Sequence, residues 1–190
     1  DWHHVLIAAS LVQKNQTELA RKTINSIRNN PYRQPLLDYI EAQTWLLEDN
    51  PERFCESVSK AVSTWDSEPV WQFELGRTYA MLNDTAAAVA HLQQAVRLDT
   101  EYIDAHQLLA YTLEKDGQIA EALQTFEKAV QINPAEPGLM VQAGCLALQL
   151  DQPQKSAQWF ERAGSFGADS EAYHLGLART LSTLGDHTRA

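Results

Sequence analysis

The 190 residues carry 15 Lys and Arg against 25 Asp and Glu, a formal charge of −10. This balance argues against a nucleic-acid grip, which needs a basic stripe, and against electrostatic attachment to an anionic membrane leaflet. No apolar run reaches membrane-spanning length, and the opening DWHHVLIAASLV lacks the basic n-region and cleavage pattern of a secretory signal.

In chain order, Ile7, Ala8 and Leu11, then Ala20, Ile24 and Ile27 after a break at Asn15, recur at helical intervals. Two amphipathic helices joined by a turn are predicted over residues 1–34. Asn29-Asn30-Pro31-Tyr32 ends the second, since Asn tolerates a left-handed cap and Pro cannot continue the ladder. Residues 35–68 repeat the plan with Glu41, Ala42, Trp45, Asp49, Phe54, Val58, Ala61 and Asp66. Within them Asn50-Pro51 reads as an N-cap followed by proline at the first helical place.

Residues 69–102 carry Leu75, Gly76, Tyr79, Asn83, Ala88, Leu92, Ala95 and Thr100. The fullest statement of the pattern is 103–136, with Leu109, Ala110, Leu113, Gly117, Ala122, Phe126, Ala129 and Pro134. Asp116-Gly117 breaks it between helices and Asn133-Pro134 stops it. Residues 137–170 place Ala143, Gly144, Ala147, Asp151, Ser156, Phe160 and Ala163 in the same phase, with Pro153 opening a helix. Their end, GSFGAD, holds two glycines in place of the proline, so a looser link to the next element is expected. Residues 171–190 keep Leu177, Ala178, Leu181 and Gly185, and end at Ala190.

This pattern resembles the tetratricopeptide repeat: an apolar residue before a small one at place eight, then a large residue at eleven, glycine near fifteen and alanine at twenty. An aromatic at place twenty-four, alanine at twenty-seven and proline at thirty-two complete it. Six occurrences in one phase carry the likeness, giving repeats at 1–34, 35–68, 69–102, 103–136 and 137–170 and a partial sixth at 171–190. The resemblance implies an all-α fold, a right-handed α-solenoid of helix-turn-helix repeats. It marks Phe54 as a departure: a ring stands where the family keeps a small residue, and must widen the helix crossing or find space beside Ala42. Small residues at places eight, twenty and twenty-seven let helices approach, and Trp45, Tyr79, Phe126 and Phe160 fill the space between them.

In the family, places two, five, nine, twelve and thirteen of each repeat face the concave wall. Here these are Trp2, Val5, Ala9, Val12 and Gln13; Leu36, Tyr39, Gln43, Leu46 and Leu47; and Val70, Phe73, Arg77, Ala80 and Met81. Next come Asp104, Gln107, Tyr111, Glu114 and Lys115; Gly138, Val141, Cys145, Leu148 and Gln149; and finally Leu175 and Arg179. The expected partner-binding residues are Tyr39, Gln43, Leu46, Phe73, Arg77, Met81, Gln107, Tyr111 and Arg179. The first half of this wall is apolar and aromatic, as a surface for a peptide or helix requires. Val5, Ala9, Tyr39 and Gln43 stand where chaperone-binding members carry Lys and Asn, so a terminal-carboxylate clamp is not expected.

No sequence feature signals catalysis: HExxH, GxSxG and a glycine-rich phosphate loop are absent, and the six histidines lack metal-ligand spacing. The segment reads as a non-enzyme without metal or cofactor. Cys55 and Cys145 lie three repeats apart, too far for a disulfide, and leave cytoplasm and bacterial periplasm equally open. Net charge runs from +3 over 1–34 to −6 over 35–68, −2, −4 and −1 over the next three repeats and 0 over 171–190. The acidic band suits a basic partner, or is a solvated outer face.

The expected function is a protein-interaction scaffold holding a partner segment in its groove. Two alternatives stand beside it: a spacer or assembly module of a larger bacterial envelope, secretion or polysaccharide-export protein, and a substrate-recruiting repeat region of a transferase whose catalytic domain lies outside this segment. Apolar Trp2 at the start and an unpaired last helix lead to the expectation of flanking repeats or domains in a longer protein.

Overall fold

The computed structural model describes residues 2–28, 34–64 and 68–185. Among them lie α1 (Trp2–Gln13), α2 (Thr17–Ile27), α3 (Gln34–Leu47), α4 (Pro51–Thr64), α5 (Pro69–Met81) and α6 (Thr85–Leu98). They continue with α7 (Ile103–Lys115), α8 (Ile119–Ile132), α9 (Pro137–Gln149), α10 (Pro153–Ser165) and α11 (Glu171–Leu184), with no strand among the described residues. The expected helix end at Asn29 to Tyr32, the places of Asp66, His187 and Ala190, and the side chain of Ala61 lie outside the described residues. The helices form two compact units, residues 1–99 and 100–190, each an all-helical stack in which a helix packs on its sequence neighbours.

Local chemistry sets the helix boundaries. Proline opens α4, α5, α9 and α10, where its missing N–H is needed by no partner. The Asn50 side chain accepts from the Arg53 N–H at 3.2 Å, the N-cap expected from sequence. Between the two helices of each pair, Asn15, Asp49, Asn83, Gly117 and Asp151 have positive φ, as does Gly185 after α11, all between 55° and 79°. Only glycine takes this left-handed conformation without steric cost, and Asn and Asp tolerate it best among the rest. Replacing Asp151 (φ 56°) by Gly is therefore expected to stabilise the fold by about 0.5–1 kcal/mol, seen as a rise of roughly 1–4 °C in Tm. An unchanged or lower Tm would show that the aspartate is not strained there.

In the first unit, Val5, Ala8, Val12, Ala20, Ile24, Leu37 and Ile40 form one buried cluster, and Ala42, Phe54, Cys55, Val58 and Leu75 another. Phe54 is 1% exposed, its ring in the same cluster as Ala42. Trp45 packs against the second cluster, as expected, with one face. It is half-buried, with the Arg21 and Arg53 guanidiniums 4.3 and 4.7 Å from its ring centroid, because its position in α3 leaves one face to water. Arg21 also donates through both terminal nitrogens to Glu48, at 2.9 and 2.6 Å, which ties α2 to the end of α3.

In the second unit, Phe126 and Phe160 are fully buried. A Cβ on Gly144 would lie 3.0 Å from the Phe160 ring, and one on Gly176 only 2.3 Å from it. The small residues that admit this ring are thus the eighth-place Gly144 of α9 and Gly176 of α11. The link after α10 is tied, contrary to the looser connection expected. Ala168 N–H donates to the Ala163 carbonyl at 3.0 Å, Ser170 caps Tyr173 N–H, and a Cβ on Gly164 would collide with the Tyr173 hydroxyl at 2.5 Å. The two glycines serve a left-handed cap at Gly167 and a close helix approach at Gly164.

Candidate partner-binding wall

Helices α1, α3 and α5 supply the wall of the first unit. They surround a hollow of about 260 Å³ lined by Val12, Gln13, Tyr39, Gln43, Leu46, Leu47, Phe54, Glu74 and Arg77. Four residues expected from sequence, Tyr39, Gln43, Leu46 and Arg77, therefore meet at one place. The Tyr39 ring is half-buried and stands edge-on to Trp71, with centroids 4.3 Å apart. Burial, and then the Glu74 charge, pushes its phenol above the usual range, while a hydrogen bond with Gln43 acts the other way.

Arg77 is not waiting for a partner's acid: its Nη2 donates to Glu74 Oε2 at 2.6 Å, and its Nε is buried without an acceptor. The wall template has no place for Glu74, yet an acid three residues before an arginine on one helix signals this pair. The hollow is consequently apolar with a neutralised charge at one side. Leu47 and Met81 are 48% and 59% exposed, Met81 outside the hollow's lining, and Phe73 is half-buried and also outside it. Val5, a concave place in the template, is 3% exposed and belongs to the core with Leu37 and Ile40, because a short branched side chain there turns into the neighbouring helix. Val141 is buried likewise.

In the second unit the wall runs over α7, α9 and α11. Tyr111 is 45% exposed, its ring edge-on to Phe126 at 5.0 Å; Gln107 is half-buried. Burial, then the Glu114 charge, raises the Tyr111 phenol, and burial raises the Glu114 carboxyl itself. A second hollow, about 340 Å³, is lined by Cys145, Leu148, Gln149, Ala172, Leu175, Gly176 and Arg179. Of the nine expected residues this one takes Arg179, while Gln107 and Tyr111 line neither hollow.

The histidines are structural or solvent-facing where described. His91 Nδ1 lies 2.9 Å from Gln72 Oε1 with its ring stacked on Tyr79, His106 Nε2 donates to the Thr100 carbonyl, and His174 pairs with Asp169. Among the described residues no group of three or more His, Cys, Asp or Glu could hold a metal, Cys55 and Cys145 are free thiols, and no helix is long and apolar enough to cross a membrane.

Paired helices, small residues at their crossings and a left-handed turn every 34 residues agree with two family models, both described as tetratricopeptide repeat, which match residues 72–102 and 113–180. The chain belongs to the tetratricopeptide repeat family. Over 96 residues, 50% of this TPR chain, it is 33% identical to the TPR repeat-containing protein YpiA of Bacillus subtilis. That match spans 22% of YpiA's own length. Among solved structures, MamA superposes with a TM-score of 0.74 at 20% identity, covering 84% of this chain and 94% of MamA. YrrB, described as a TPR protein with an unusual peptide-binding site, gives 0.75 at 17% identity, covering 90% and 89%. At these identities the likeness to MamA and YrrB is one of fold.

Proposed function

We propose that the TPR chain is a protein-interaction module that takes a partner segment on the wall of α1, α3 and α5. The observation that carries this reading is the apolar hollow in which Tyr39, Gln43, Leu46 and Leu47 converge. An apolar side chain of the partner buries its surface there, at about 25 cal/mol per Å². The Gln13 and Gln43 amides offer hydrogen bonds to the partner's backbone, as extended-segment recognition requires. The peptide-binding site in YrrB's description supports the reading by analogy. The partner has basic character on this side, because residues 35–68 carry a net charge of −6.

Tyr39 is a poor place to test it, since its ring props Trp71 and truncation would disturb the fold. Leu47 lines the hollow and is 48% exposed, so Leu47→Glu leaves the fold intact and puts a charge in the groove. Capture from source-cell lysate with wild-type and Leu47→Glu chains of equal helicity is expected to lose a partner at least about tenfold, some 1.4 kcal/mol. A partner set that Leu47→Glu leaves unchanged would remove this hollow as the docking site.

A further inference from the structure

The hollow between α9 and α11 differs from the first in its charge. Leu148, Ala172, Leu175 and Gly176 make it apolar, and Leu175 is 50% exposed at its edge. In the first unit Arg21, Arg28 and Arg77 are each held by a glutamate of this chain. Arg179, exposed at the second hollow, is in no ion pair among the described residues. Residues 171–190 balance to zero net charge, where 35–68 carry −6, so this part of the wall does not repel an acid. Glu114 and Arg179 both act on the Cys145 thiol in the lining of this hollow, with opposite sign.

Resting on the reading of the wall as a partner-binding surface, we infer that this second hollow docks a partner segment in which a large apolar side chain is followed by Glu or Asp. The apolar group fills the space between Leu148 and Leu175, and the carboxylate meets the Arg179 guanidinium. An Arg–carboxylate pair is directional and is strengthened where an apolar surface displaces water beside it. At about 340 Å³, near the low end of ligand-pocket volumes, the hollow has room for a large side chain. Glu114 orients the segment, keeping its acid toward α11.

The test uses the full chain and N-acetylated, C-amidated twelve-residue Gly/Ser peptides carrying one Leu, Phe or Trp followed by Glu, Gln or Lys. Amide-resolved NMR titration reads both affinity and place. Expected are shifts centred on Leu148 and Leu175, with Glu peptides binding about fivefold tighter than Gln peptides and Lys peptides weakest. Arg179→Gln should abolish the preference for Glu while sparing the Gln peptides, Leu175→Asp should weaken all three, and Leu47→Glu should change none. Equal binding of Glu and Gln peptides, preference for Lys, no binding, or a preference that survives Arg179→Gln would each overturn the inference. Shifts confined to the first hollow and lost with Leu47→Glu would overturn it while leaving the proposed function standing.

Discussion

Phe160→Ala is expected to cost about 3–5 kcal/mol, because two faces of the void it leaves are glycine backbone with no side chain to collapse inward. The ring is fully buried, and the backbone of α9 and α11 faces it as Gly144 and Gly176. Neither glycine can fill space, so the lost contacts are not replaced. The reverse perturbation is also informative. Gly176→Ala would place a methyl 2.3 Å from the ring and should cost about 1–3 kcal/mol by overpacking. Urea unfolding followed by circular dichroism measures both changes as shifts in midpoint. A loss below about 1 kcal/mol for Phe160→Ala would mean that α11 closes onto α9 without the ring. Because α11 also lines the second hollow, peptide binding there should weaken together with stability.

The second large effect is at Phe54. Alanine is the residue the family pattern favours at this place, and by that pattern Phe54→Ala would relieve the crossing of α3 and α4. The structure leads to the opposite expectation, a loss of about 3–5 kcal/mol. Phe54 is 1% exposed, packed with Ala42, Val58 and Leu75 and flanked by Tyr39, Trp45 and Tyr79. Its ring is the volume that the surrounding residues have adapted to. It also lines the first hollow, so truncation should enlarge that hollow and lower partner affinity even under conditions where the chain stays folded. A stabilising Phe54→Ala, read in the same urea experiment, would show that the ring is strained and that the family's smaller residue is preferred here.

Helix order and spacing were legible in the chain itself because the left-handed turns and the prolines act through their own backbones. Asn15, Asp49, Asn83, Gly117, Asp151 and Gly185 all turn as their spacing led one to expect, and Asn50-Pro51 caps α4 by short-range bonds. The buried places were legible for a related reason. A three- and four-residue period puts Ala20, Ile24, Ala88, Leu92, Ala122, Phe126 and Phe160 on one helical face whatever lies opposite. Part of the candidate wall followed from the same register, since Tyr39, Gln43, Leu46 and Arg77 do converge.

Tertiary structure alone decided what those wall residues are free to do. Arg77 is satisfied by Glu74, Tyr39 is engaged with Trp71, Val5 is turned into the core, and Arg179 is left at the edge of an apolar hollow. It also decided that Gly176 meets Phe160 beside the eighth-place Gly144, which depends on how α10 and α11 approach. A periodic sequence states which face a residue occupies, because that is set by rotation per residue along one helix. Whether its charge is paired, its ring supported or its surface open depends on side chains contributed by the next helix, and these are known only once the helices have packed.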